Sequence, residues 1–434
     1  MKWRDRLSGL SGIERYPVVK RLSFLVSALL LSFMGIFSSG CLENETEVNC
    51  AKTFCIGTLL PEDKDSNISR IEAVNLAKND INNAGGTVEI ISGNSYKSGM
   101  SEVSASAKRL YEMGVHGIVG PTYSEDSSEI LSFLSENQVV AISPSSTSHT
   151  LTVRNKEVAD SGNQIFFFRI APSDLFQAPI LAKQSQGRTI IVNRDDRWGE
   201  DLAALVREEI MSYGRMVRVV SYDSDAPSAA SVVSDVEANM REIGGVDSII
   251  MLVFEEGGEI TRGLLDSSVI PEQTGYYFGD GILFEESLFP HVEEEDGEIK
   301  GFRRVSSVSP PGKRLEEFKG RFSADTTFNN FAAHAYDAAV ILSLAALSAG
   351  SNDPSDYAPK IKEVTREGVK CRSYATCAAA LTDETSVNDD IDYEGLSGPI
   401  DLNDNGDITA GLYVVDTYDA KGAVRSRLYL NFVK

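Results

Sequence analysis

The chain has 434 residues, of which 42% are hydrophobic, so it is long enough for two domains and has the composition of a folded globular protein. Its 64 acidic residues outnumber the 41 basic ones, giving a net charge of −23 at pH 7. Nucleic acid and anionic lipid headgroups are therefore excluded as main partners, because binding them requires clustered Lys and Arg.

The first 41 residues differ in kind from the rest of the chain. A basic stretch ending in Lys20 and Arg21 precedes the run LSFLVSALLLSFMGIFSSGC, which is too short and Ser-broken for a transmembrane span and predicts a signal peptide. The small residues before Cys41 resemble the lipobox of bacterial lipoproteins, although Ser38 stands where Leu is usual. We expect residues 1–41 to direct export and Cys41 to carry a lipid; a plain secretory signal and an uncleaved anchor are the alternatives.

Residues 42–54 are polar, and we interpret them as a tether between the membrane and the folded part. Residues 1–40 hold six basic and two acidic side chains, so 35 basic and 62 acidic residues remain after them, a net charge of −27. The lipid, and not the surface charge, would therefore hold the protein at a membrane.

Four further cysteines form two local pairs, Cys50 with Cys55 and Cys371 with Cys377. Exported chains meet an oxidising compartment, so these pairs predict two small disulfide loops. A zinc site of four thiolates is the alternative. It is disfavoured because neither pair has the two-residue gap of a zinc knuckle and the pairs lie near opposite ends of the chain.

Beyond the tether, apolar strands and amphipathic helices alternate in two series. The first series runs from CIGTLLP to VVAIS and the second from RTIIVN to GYYFGD, with FFFRIAPSD between them. In the first helix, Ile68, Ile71 and Val74 share one face, and Gly85 marks the end. Such alternation predicts parallel sheets covered on both faces, and two series predict two lobes with a cleft between them.

The remaining predicted elements follow residue 301. FRRVSS predicts a strand, and helical patterns follow at Lys313–Phe322, Asn329–Leu347 and Pro354–Thr365. The last segment, GLYVVDTYDAKGAVRSRLYLNFV, predicts two strands joined by a Lys-Gly turn.

Hydroxyl side chains are concentrated after two of the predicted strands. Seven of the ten residues from Ser143 to Thr152 are Ser or Thr, directly after VVAI, and GPTYS follows the preceding strand. Turn chemistry alone would explain such a cluster. However, ligands of open parallel sheets bind beyond the carboxyl ends of strands, and a predicted helix from Ser127 to Glu136 brings its positive N-terminus nearby. We therefore predict a carboxylate site at Ser124, Ser145 and Thr147.

Several segments, taken in order, resemble periplasmic binding proteins of the leucine/isoleucine/valine type, the type I family with the receptor-family ligand-binding fold. They lie between about residues 55 and 430 and read IGTLLP with AVNLAKNDINNAGG, GVHGIVGPTYSEDSSEILSFLSENQVVAISPSSTSHTLT, FFFRIAPSD, RWGEDLAALVREEI, NFAAHAYDAAVILSLAAL and YEGLSGPIDLNDNGD. The resemblance implies an α/β fold of two Rossmann-like lobes joined by a three-crossover hinge, with a ligand cleft between them. Carried onto this chain, lobe 1 would be residues 55–172 plus 302–398 and lobe 2 residues 173–301 plus 399–434.

The resemblance also implies how lobe 1 would hold a ligand. Ser124 and Thr147 would donate their hydroxyls to an α-carboxylate. Backbone groups at Ser145 and Thr147, in the loop that also contains Ser146, would hold the carboxylate and the α-ammonium. Hydrogen bonds to charged groups contribute roughly 1.5–3 kcal/mol each, so a few of them would anchor a zwitterion.

Three residues of lobe 2 are candidates for the opposite side of the cleft. Trp198 stands where the family often has Tyr, and its ring would stack on the ligand or face the ammonium; a buried core position is the alternative. Glu255 and Asp280 end predicted strands and would pair with an ammonium, and Asp280 lies where the family places a cleft residue. For the neighbouring Glu256 a solvated loop is the preferred interpretation.

Two departures from the family leave the charge of the ligand open. Glu125 and Asp126 replace small residues, and EDKDSN replaces a Gly-rich loop. Acids lining the cleft would favour a cationic ligand such as an arginine-like compound or a polyamine, whereas acids pointing outward would leave a neutral amino acid favoured.

No catalytic or cofactor motif emerges, and neither an enzyme nor a metal site is expected. DLNDNGDITAGL begins like a calcium loop, but Leu412 takes the place of the final Glu, so a turn between strands is preferred. The four histidines lack ligand spacing, and no G-x-S-x-G, Walker or G-x-G-x-x-G motif is present. A hydrolase is disfavoured because no nucleophile–base pair stands out.

These features predict an exported, lipid-anchored protein of the periplasm or cell envelope. It would capture an amino acid or similar small solute by lobe closure and deliver it to an ABC transporter permease. The alternative is a ligand-sensing or regulatory lipoprotein of the same fold that acts on an envelope partner.

Overall fold

The computed structural model describes residues 49–62, 65–97, 100–292, 301–329, 331–383, 390–419 and 422–433. They belong to one compact unit that begins at Val48. The predicted signal peptide, the predicted lipidation site Cys41 and residues 42–48 of the predicted tether lie outside the described residues.

The first part of the chain forms a parallel sheet of five strands, which we call the lobe 1 sheet. Its elements in chain order are β1 (Phe54–Thr58), α1 (Asp65–Asn83), β2 (Val88–Ser92), β3 (Tyr96–Lys97), β4 (Met100–Ser101), α2 (Val103–Glu112), β5 (Gly117–Val119), α3 (Ser124–Asn137), β6 (Val140–Ser143), α4 (His149–Asp160) and β7 (Phe167–Arg169). The strand order is β2-β1-β5-β6-β7, and β3 pairs with β4 separately. Every residue of β1, β5, β6 and β7 is buried, as both-face coverage of a parallel sheet requires.

The second part forms a seven-stranded sheet, which we call the lobe 2 sheet. Its elements up to the second crossover are α5 (Asp174–Gln184), β8 (Thr189–Arg194), α6 (Arg197–Ser212), β9 (Val217–Tyr222), α7 (Ala229–Ile243), β10 (Ser248–Leu252), α8 (Gly257–Leu265), β11 (Gly275–Phe278), a π-helical turn (Phe284–Leu288), α9 (Phe289–Val292) and β12 (Arg303–Ser307). The sheet order is β16-β15-β12-β11-β10-β8-β9. Strand β15 pairs antiparallel with both of its neighbours, β12 and β16.

The chain then returns to lobe 1 before it finishes in lobe 2. The remaining elements are α10 (Lys313–Lys319), α11 (Ala332–Ala349), α12 (Pro354–Glu363), β13 (Val369–Cys371), α13 (Tyr374–Leu381), β14 (Ile391–Tyr393), β15 (Ala410–Tyr418) and β16 (Val424–Val433). Helix α11 packs on α1 and α12. Among the described residues it is the one helix apolar and long enough to cross a membrane, but 83% of it is buried inside lobe 1, which identifies it as a core helix.

Two helices near the hydroxyl cluster differ from the sequence prediction. Helix α3 begins at Ser124, three residues before the predicted start, and Tyr123 is its N-cap. Helix α4 was not predicted; Ser148 caps it by accepting a hydrogen bond from the N–H of Thr150. A residue inside a Ser- and Thr-rich stretch can cap a helix or form a turn, and helical periodicity does not distinguish the two.

Two crossovers lie somewhat further along the chain than the boundaries predicted at residues 302 and 399. Strand β12 lies in the lobe 2 sheet between β11 and β15, so the crossover to lobe 1 follows Ser307. Ile400, Leu402 and Ile408 pack in the lobe 1 core, so the final crossover precedes β15. The sequence of a strand does not show which sheet the strand joins. Strand β12 joins the lobe 2 sheet because it pairs with β15, which lies far downstream in the chain.

The four remaining cysteines lie in the pairs that the sequence predicts. The sulfur atoms of Cys50 and Cys55 are 2.12 Å apart and those of Cys371 and Cys377 are 2.05 Å apart, the distance of a disulfide bond. The first pair connects the start of β1 to the segment before it, and the second connects β13 to α13. The oxidised state of the isolated protein stays a prediction.

Candidate ligand-binding site

A cavity of about 100 Å³ lies between the two lobes. Lobe 1 contributes residues from α1, from the loops after β5 and β6, and from the segment before α11. Lobe 2 contributes residues that follow β8, β10 and β11, and residues of β12 itself. The lining residues are Arg70, Thr122, Tyr123, Ser124, Ser145, Thr147, Trp198, Phe254, Glu255, Asp280, Gly281, Leu283, Ser287, Arg304, Ser306, Ser307, Asn329 and Phe331. A cavity of this size holds a small solute and not a peptide.

The hydroxyl cluster joins the loops after β5 and β6 to each other. The hydroxyl of Ser143 donates to the carbonyl of Pro121 at 2.7 Å, and that of Ser145 donates to the carbonyl of Thr122 at 2.8 Å. Gly120 begins the first loop at φ +124°, where a Cβ would lie 2.6 Å from the carbonyl oxygen of Leu59. The two loops are thus held in fixed register at the carboxyl edge of the sheet.

Ser124 connects the second loop to the start of α3. Its hydroxyl oxygen accepts hydrogen bonds from the backbone N–H groups of Thr147 and Ser148, both at 3.2 Å. A hydroxyl that accepts two bonds still has its proton to donate. Ser124 is also the first residue of α3, so the cavity receives the positive end of that helix together with this hydroxyl.

Arg169 holds the same loop from behind. It is completely buried, and Nη1 donates to the carbonyls of Ser146 and Ser148 at 3.2 and 2.8 Å. Its Nε donates to Asp407 at 2.6 Å, which pairs the guanidinium with a carboxylate from the end of the chain. The backbone that presents Thr147 is therefore shaped by a residue of β7 and a residue next to the final crossover.

Thr147 lies against Asp174, a carboxyl that the sequence analysis missed. The carbonyl of Thr147 accepts a hydrogen bond from the N–H of Asp174 at 2.9 Å. Burial and the charge of Asp280 raise the pKa of the Asp174 carboxyl well above its ordinary value. A hydrogen bond from the hydroxyl of Thr147 lowers this pKa, but by less than burial raises it. The segment FFFRIAPSD contains Asp174, so the signal was a Ser-Asp pair at the predicted crossover.

Aromatic rings close the cavity between the lobes. Trp198 stacks on Phe254 with ring centroids 4.9 Å apart, and Tyr123 of lobe 1 meets Phe254 of lobe 2 at 5.7 Å. Trp198 is 5% exposed and belongs to the lobe 2 core, yet it also lines the cavity. Trp198 is thus both a core residue and a lining residue, and its contact with a ligand stays a prediction.

The two candidate acids of lobe 2 both line the cavity but differ in environment. Glu255 is exposed. Oδ2 of Asp280 is buried and has no hydrogen-bond partner in the part of the chain that the structure describes. Burial raises the pKa of the Asp280 carboxyl, while the side chain of Gln177 and the charge of Arg304 lower it. Asp280 therefore offers an unsatisfied acceptor to a cationic group.

The preferred interpretation of Glu256 as a solvated residue is wrong. Its carboxylate forms an ion pair with Arg194 at 2.5 Å and accepts hydrogen bonds from the hydroxyl of Tyr222 and the N–H of Phe254. Arg194 in turn stacks on the Phe254 ring, 4.2 Å from its centroid. Glu256 thus supports the aromatic wall of the cavity without lining the cavity itself.

Three residues considered for the site from the sequence, one serine and two acids, do not line the cavity. Ser146 is buried and its hydroxyl bonds that of Ser127 at 2.8 Å. Glu125 accepts a hydrogen bond from the N–H of Arg197 at 3.0 Å, and Asp126 is buried against the hydroxyl of Ser101 at 2.6 Å. The two acids therefore give no support to a cationic ligand, because helix periodicity turns both away from the lining residue Ser124.

Several polar lining residues were not predicted, and three of them are Arg70, Arg304 and Ser306. Each has a buried polar atom without a hydrogen-bond partner among the described residues, namely Nε of Arg70, Nε of Arg304 and Oγ of Ser306. Their signal in the sequence was weak, an Arg inside an amphipathic helix and polar residues inside the strand FRRVSS. Among the described residues, no group of three or more His, Cys, Asp or Glu is placed to hold a metal ion.

The chain belongs to a known family. Residues 70–420 match the family described as the receptor family ligand binding region. The fold and the sequence together place it among the type I periplasmic binding proteins, which confirms the predicted family and the two-lobed α/β fold class.

Solved structures with this fold bind different small solutes. A leucine-binding protein, LivK, of Thermotoga maritima has a TM-score of 0.65 and 19% identity over 88% of this chain and 99% of its own. The branched-chain amino acid transporter substrate-binding protein LivJ of Streptococcus pneumoniae, in complex with isoleucine, has a TM-score of 0.63 and 18% identity over 87% of this chain and 99% of its own. A solute-binding protein of an ABC transporter from Rhodopseudomonas palustris, in complex with p-hydroxybenzoic acid, has a TM-score of 0.66 and 14% identity over 88% of this chain and 98% of its own.

One curated relative also matches the sequence. It is an uncharacterized protein of Methanocaldococcus jannaschii, 24% identical over 239 residues. The alignment covers 53% of this chain and 55% of the relative, so the chain spans about half the length of that protein.

Proposed function

We propose that this protein is an extracytoplasmic solute-binding lipoprotein that traps an amino acid or similar small solute between its lobes and delivers it to an ABC importer. The observation that carries the proposal is that hydrogen-bond donors of lobe 1 and a carboxyl of lobe 2 line the same cavity. Ser124 and the N-terminus of α3 offer donors to a carboxylate, and the buried Oδ2 of Asp280 offers an acceptor to an ammonium.

This arrangement suits an α-amino acid better than an aromatic acid. A hydroxybenzoate would fill the space beside Trp198 and Phe254, but it carries no cation for Asp280. An amino acid satisfies both ends, and each hydrogen bond to one of its charged groups contributes roughly 1.5–3 kcal/mol. Three or four such bonds give micromolar affinity after the cost of association. Binding of this kind requires no chemical step.

Identifying the bound solute tests the proposal. The protein, expressed as the full chain and extracted from membranes in detergent, is denatured, and the released small molecules are identified by mass spectrometry. A thermal-shift panel of amino acids and aromatic acids follows on the refolded protein. A ligand present at a hundred times its dissociation constant adds about 2.7 kcal/mol to the free energy of unfolding, so a true ligand is easily detected.

Two substitutions connect binding to the cavity. Thr147→Val removes a lining hydroxyl at nearly constant volume, and we expect it to weaken binding about tenfold or more. Thr150→Val is the matched control, because Thr150 lies three residues further on, outside the cavity lining. A panel in which no amino acid stabilises the protein, or a Thr147→Val variant that binds like the Thr150→Val control, would contradict the proposal. Failure of every small solute would favour the regulatory lipoprotein instead.

Export and lipidation form the second part of the proposal, and the sequence of residues 1–41 supports them. The wild-type protein is expected to partition into the detergent phase and to incorporate labelled fatty acid. Cys41→Ser is expected to abolish the label and to release the protein into the aqueous phase. Label that persists in the Cys41→Ser variant would exclude Cys41 as the lipidation site.

A further inference from the structure

Arg70 is a buried cation that has no carboxylate partner among the residues that the structure describes. It lies in the second turn of α1, is 7% exposed and lines the cavity. Burial lowers its pKa to about 10, so it remains charged at neutral pH. A charge removed from water is costly unless an opposite charge pairs with it.

The contacts of Arg70 hold it in place without neutralising it. Nη1 donates to Oδ1 of Asn67, which also accepts a hydrogen bond from the hydroxyl of Thr122 at 3.2 Å. The guanidinium carbon lies 5.4 Å from the centroid of the Phe331 ring. Nε of Arg70 is buried and has no acceptor within the described parts of the chain. The described residues thus orient the guanidinium of this lining residue and leave one of its donors unpaired.

Glu255 is the acidic lining residue whose charge acts on Arg70. It raises the pKa of Arg70 from across the cleft, but it is exposed and forms no ion pair with Arg70 among the described residues. An exposed, unpaired acid compensates a buried cation only weakly, because water screens its charge. An anion inside the cavity would pair with Arg70 far more closely.

We propose that the ligand is an acidic α-amino acid, whose side-chain carboxylate pairs with Arg70. The proposal rests on the proposed function and names the class of its solute. The α-carboxylate would occupy the donors at Ser124 and the start of α3, and the ammonium would face Oδ2 of Asp280. Arg70 then receives the second carboxylate, and each charged group of the ligand has a partner of opposite polarity.

Matched acid and amide ligands test this assignment by titration calorimetry on the refolded full-length protein. The probes are L-glutamate, L-glutamine, L-aspartate, L-asparagine and glutarate, which lacks the ammonium. We expect the wild-type protein to bind glutamate or aspartate at least tenfold more tightly than the corresponding amide. Glutarate is expected to bind more weakly than glutamate, because nothing in it satisfies Asp280.

Arg70→Met keeps the length of the side chain and removes its charge. In this variant the preference for the acid over the amide is expected to vanish, with the affinity for the amide changed by less than about threefold. Arg70→Lys is expected to keep part of the preference. Arg154→Met is the matched control, since Arg154 is a half-buried arginine of lobe 1 that bonds Ser128 outside the cavity.

The outcomes separate this inference from the proposed function. Wild-type protein that binds amides or apolar amino acids as tightly as the acids would overturn the role of Arg70 and leave amino acid binding intact. An acid preference that survives in Arg70→Met would also overturn it. Absence of binding for every amino acid, acidic or neutral, would overturn the proposed function and this inference with it.

Discussion

Oδ2 of Asp201 in lobe 2 accepts a hydrogen bond from the backbone N–H of Thr150 in lobe 1, at 3.0 Å. Asp201 also accepts a hydrogen bond from the hydroxyl of Ser148, so it caps the start of α4 from the opposite lobe. In the opposite direction, the carboxylate of Glu125 in lobe 1 accepts a hydrogen bond from the N–H of Arg197, the first residue of α6 in lobe 2. All three hydrogen bonds cross the cleft, so a separation of the lobes would break all three.

Removing Asp201 should therefore weaken ligand binding from outside the cavity. A helix cap contributes about 1 kcal/mol, so Asp201→Ala is expected to lower affinity about fivefold by reducing the population of the closed form. The order of preference among ligands should stay the same. Titration calorimetry with the identified solute measures both quantities.

Glu200→Ala is the control for Asp201→Ala, because Glu200 is the exposed neighbour on the same helix. Equal affinities of Asp201→Ala and Glu200→Ala would show that the cap across the cleft does not contribute to closure. A changed order of preference would mean instead that Asp201 affects the cavity directly.

Asp126 gives the stability of the protein a defined pH dependence. Burial raises the pKa of Asp126 to about 7 from 3.8, against a hydrogen bond from Ser101 that lowers it. A carboxyl with a higher pKa in the folded protein binds its proton more tightly when folded. Its contribution to stability is therefore full below about pH 4 and declines as the pH rises to about 7.

Asp126→Asn should remove this decline. At pH 8 the variant is expected to be more stable than the wild type by on the order of 2–4 kcal/mol, and the difference should vanish near pH 4. Thermal unfolding between pH 4 and 8 measures it. Asp160→Asn, at an exposed site on α4, serves as the control and should follow the wild-type profile. Parallel profiles for Asp126→Asn and wild type would contradict the assignment.

The buried ion pair between Arg169 and Asp407 should be costly to break from one side. Asp407→Ala leaves the fully buried guanidinium of Arg169 without its carboxylate, and we expect a loss of about 3–5 kcal/mol in the free energy of unfolding. Asp404→Ala removes an exposed acid that pairs with Lys362 nearby, and we expect a loss below about 1 kcal/mol. Urea unfolding measures the free energy of unfolding of the two variants. Similar losses in both would contradict the assignment of the buried ion pair as the more important one.

The disulfide between Cys371 and Cys377 should contribute modestly to stability. It closes a loop of about six residues, for which the chain-entropy estimate is about 2 kcal/mol. The double variant Cys371→Ala/Cys377→Ala should lose about that amount. Mass spectrometry after alkylation should show no label on Cys371 or Cys377 until a reductant is added; labelling without reductant would mean that the thiols are free.

The fold was predictable because its signals are local. Largely apolar strands of three to six residues alternate with helices, and this alternation indicates parallel sheets in two lobes. The meeting of Ser124 with Thr147 followed from the same rhythm, since strand ends of one sheet share an edge. The lobe to which β12 belongs was not predictable, because its partner β15 lies far downstream.

The apolar periodicity of α1 did not predict that Arg70 is buried. Periodicity places Ile68 on the buried face of α1, but Ile68 is 43% exposed, while Asn67 and Arg70 are buried. The start of α1 faces the cavity and not the apolar core, so polar side chains are buried there. A single sequence shows amphipathic periodicity, but it does not show where a second lobe covers the polar face.

The ion pair between Arg169 and Asp407 also sets an order for folding. The loop that presents Thr147 takes its shape from Arg169, whose counter-charge lies 238 residues further along the chain. The loop therefore reaches its final shape only after the segment around Asp407 has been synthesised and has packed against lobe 1. Truncation shortly before residue 407 would for the same reason keep most of the strands but leave this loop without its support.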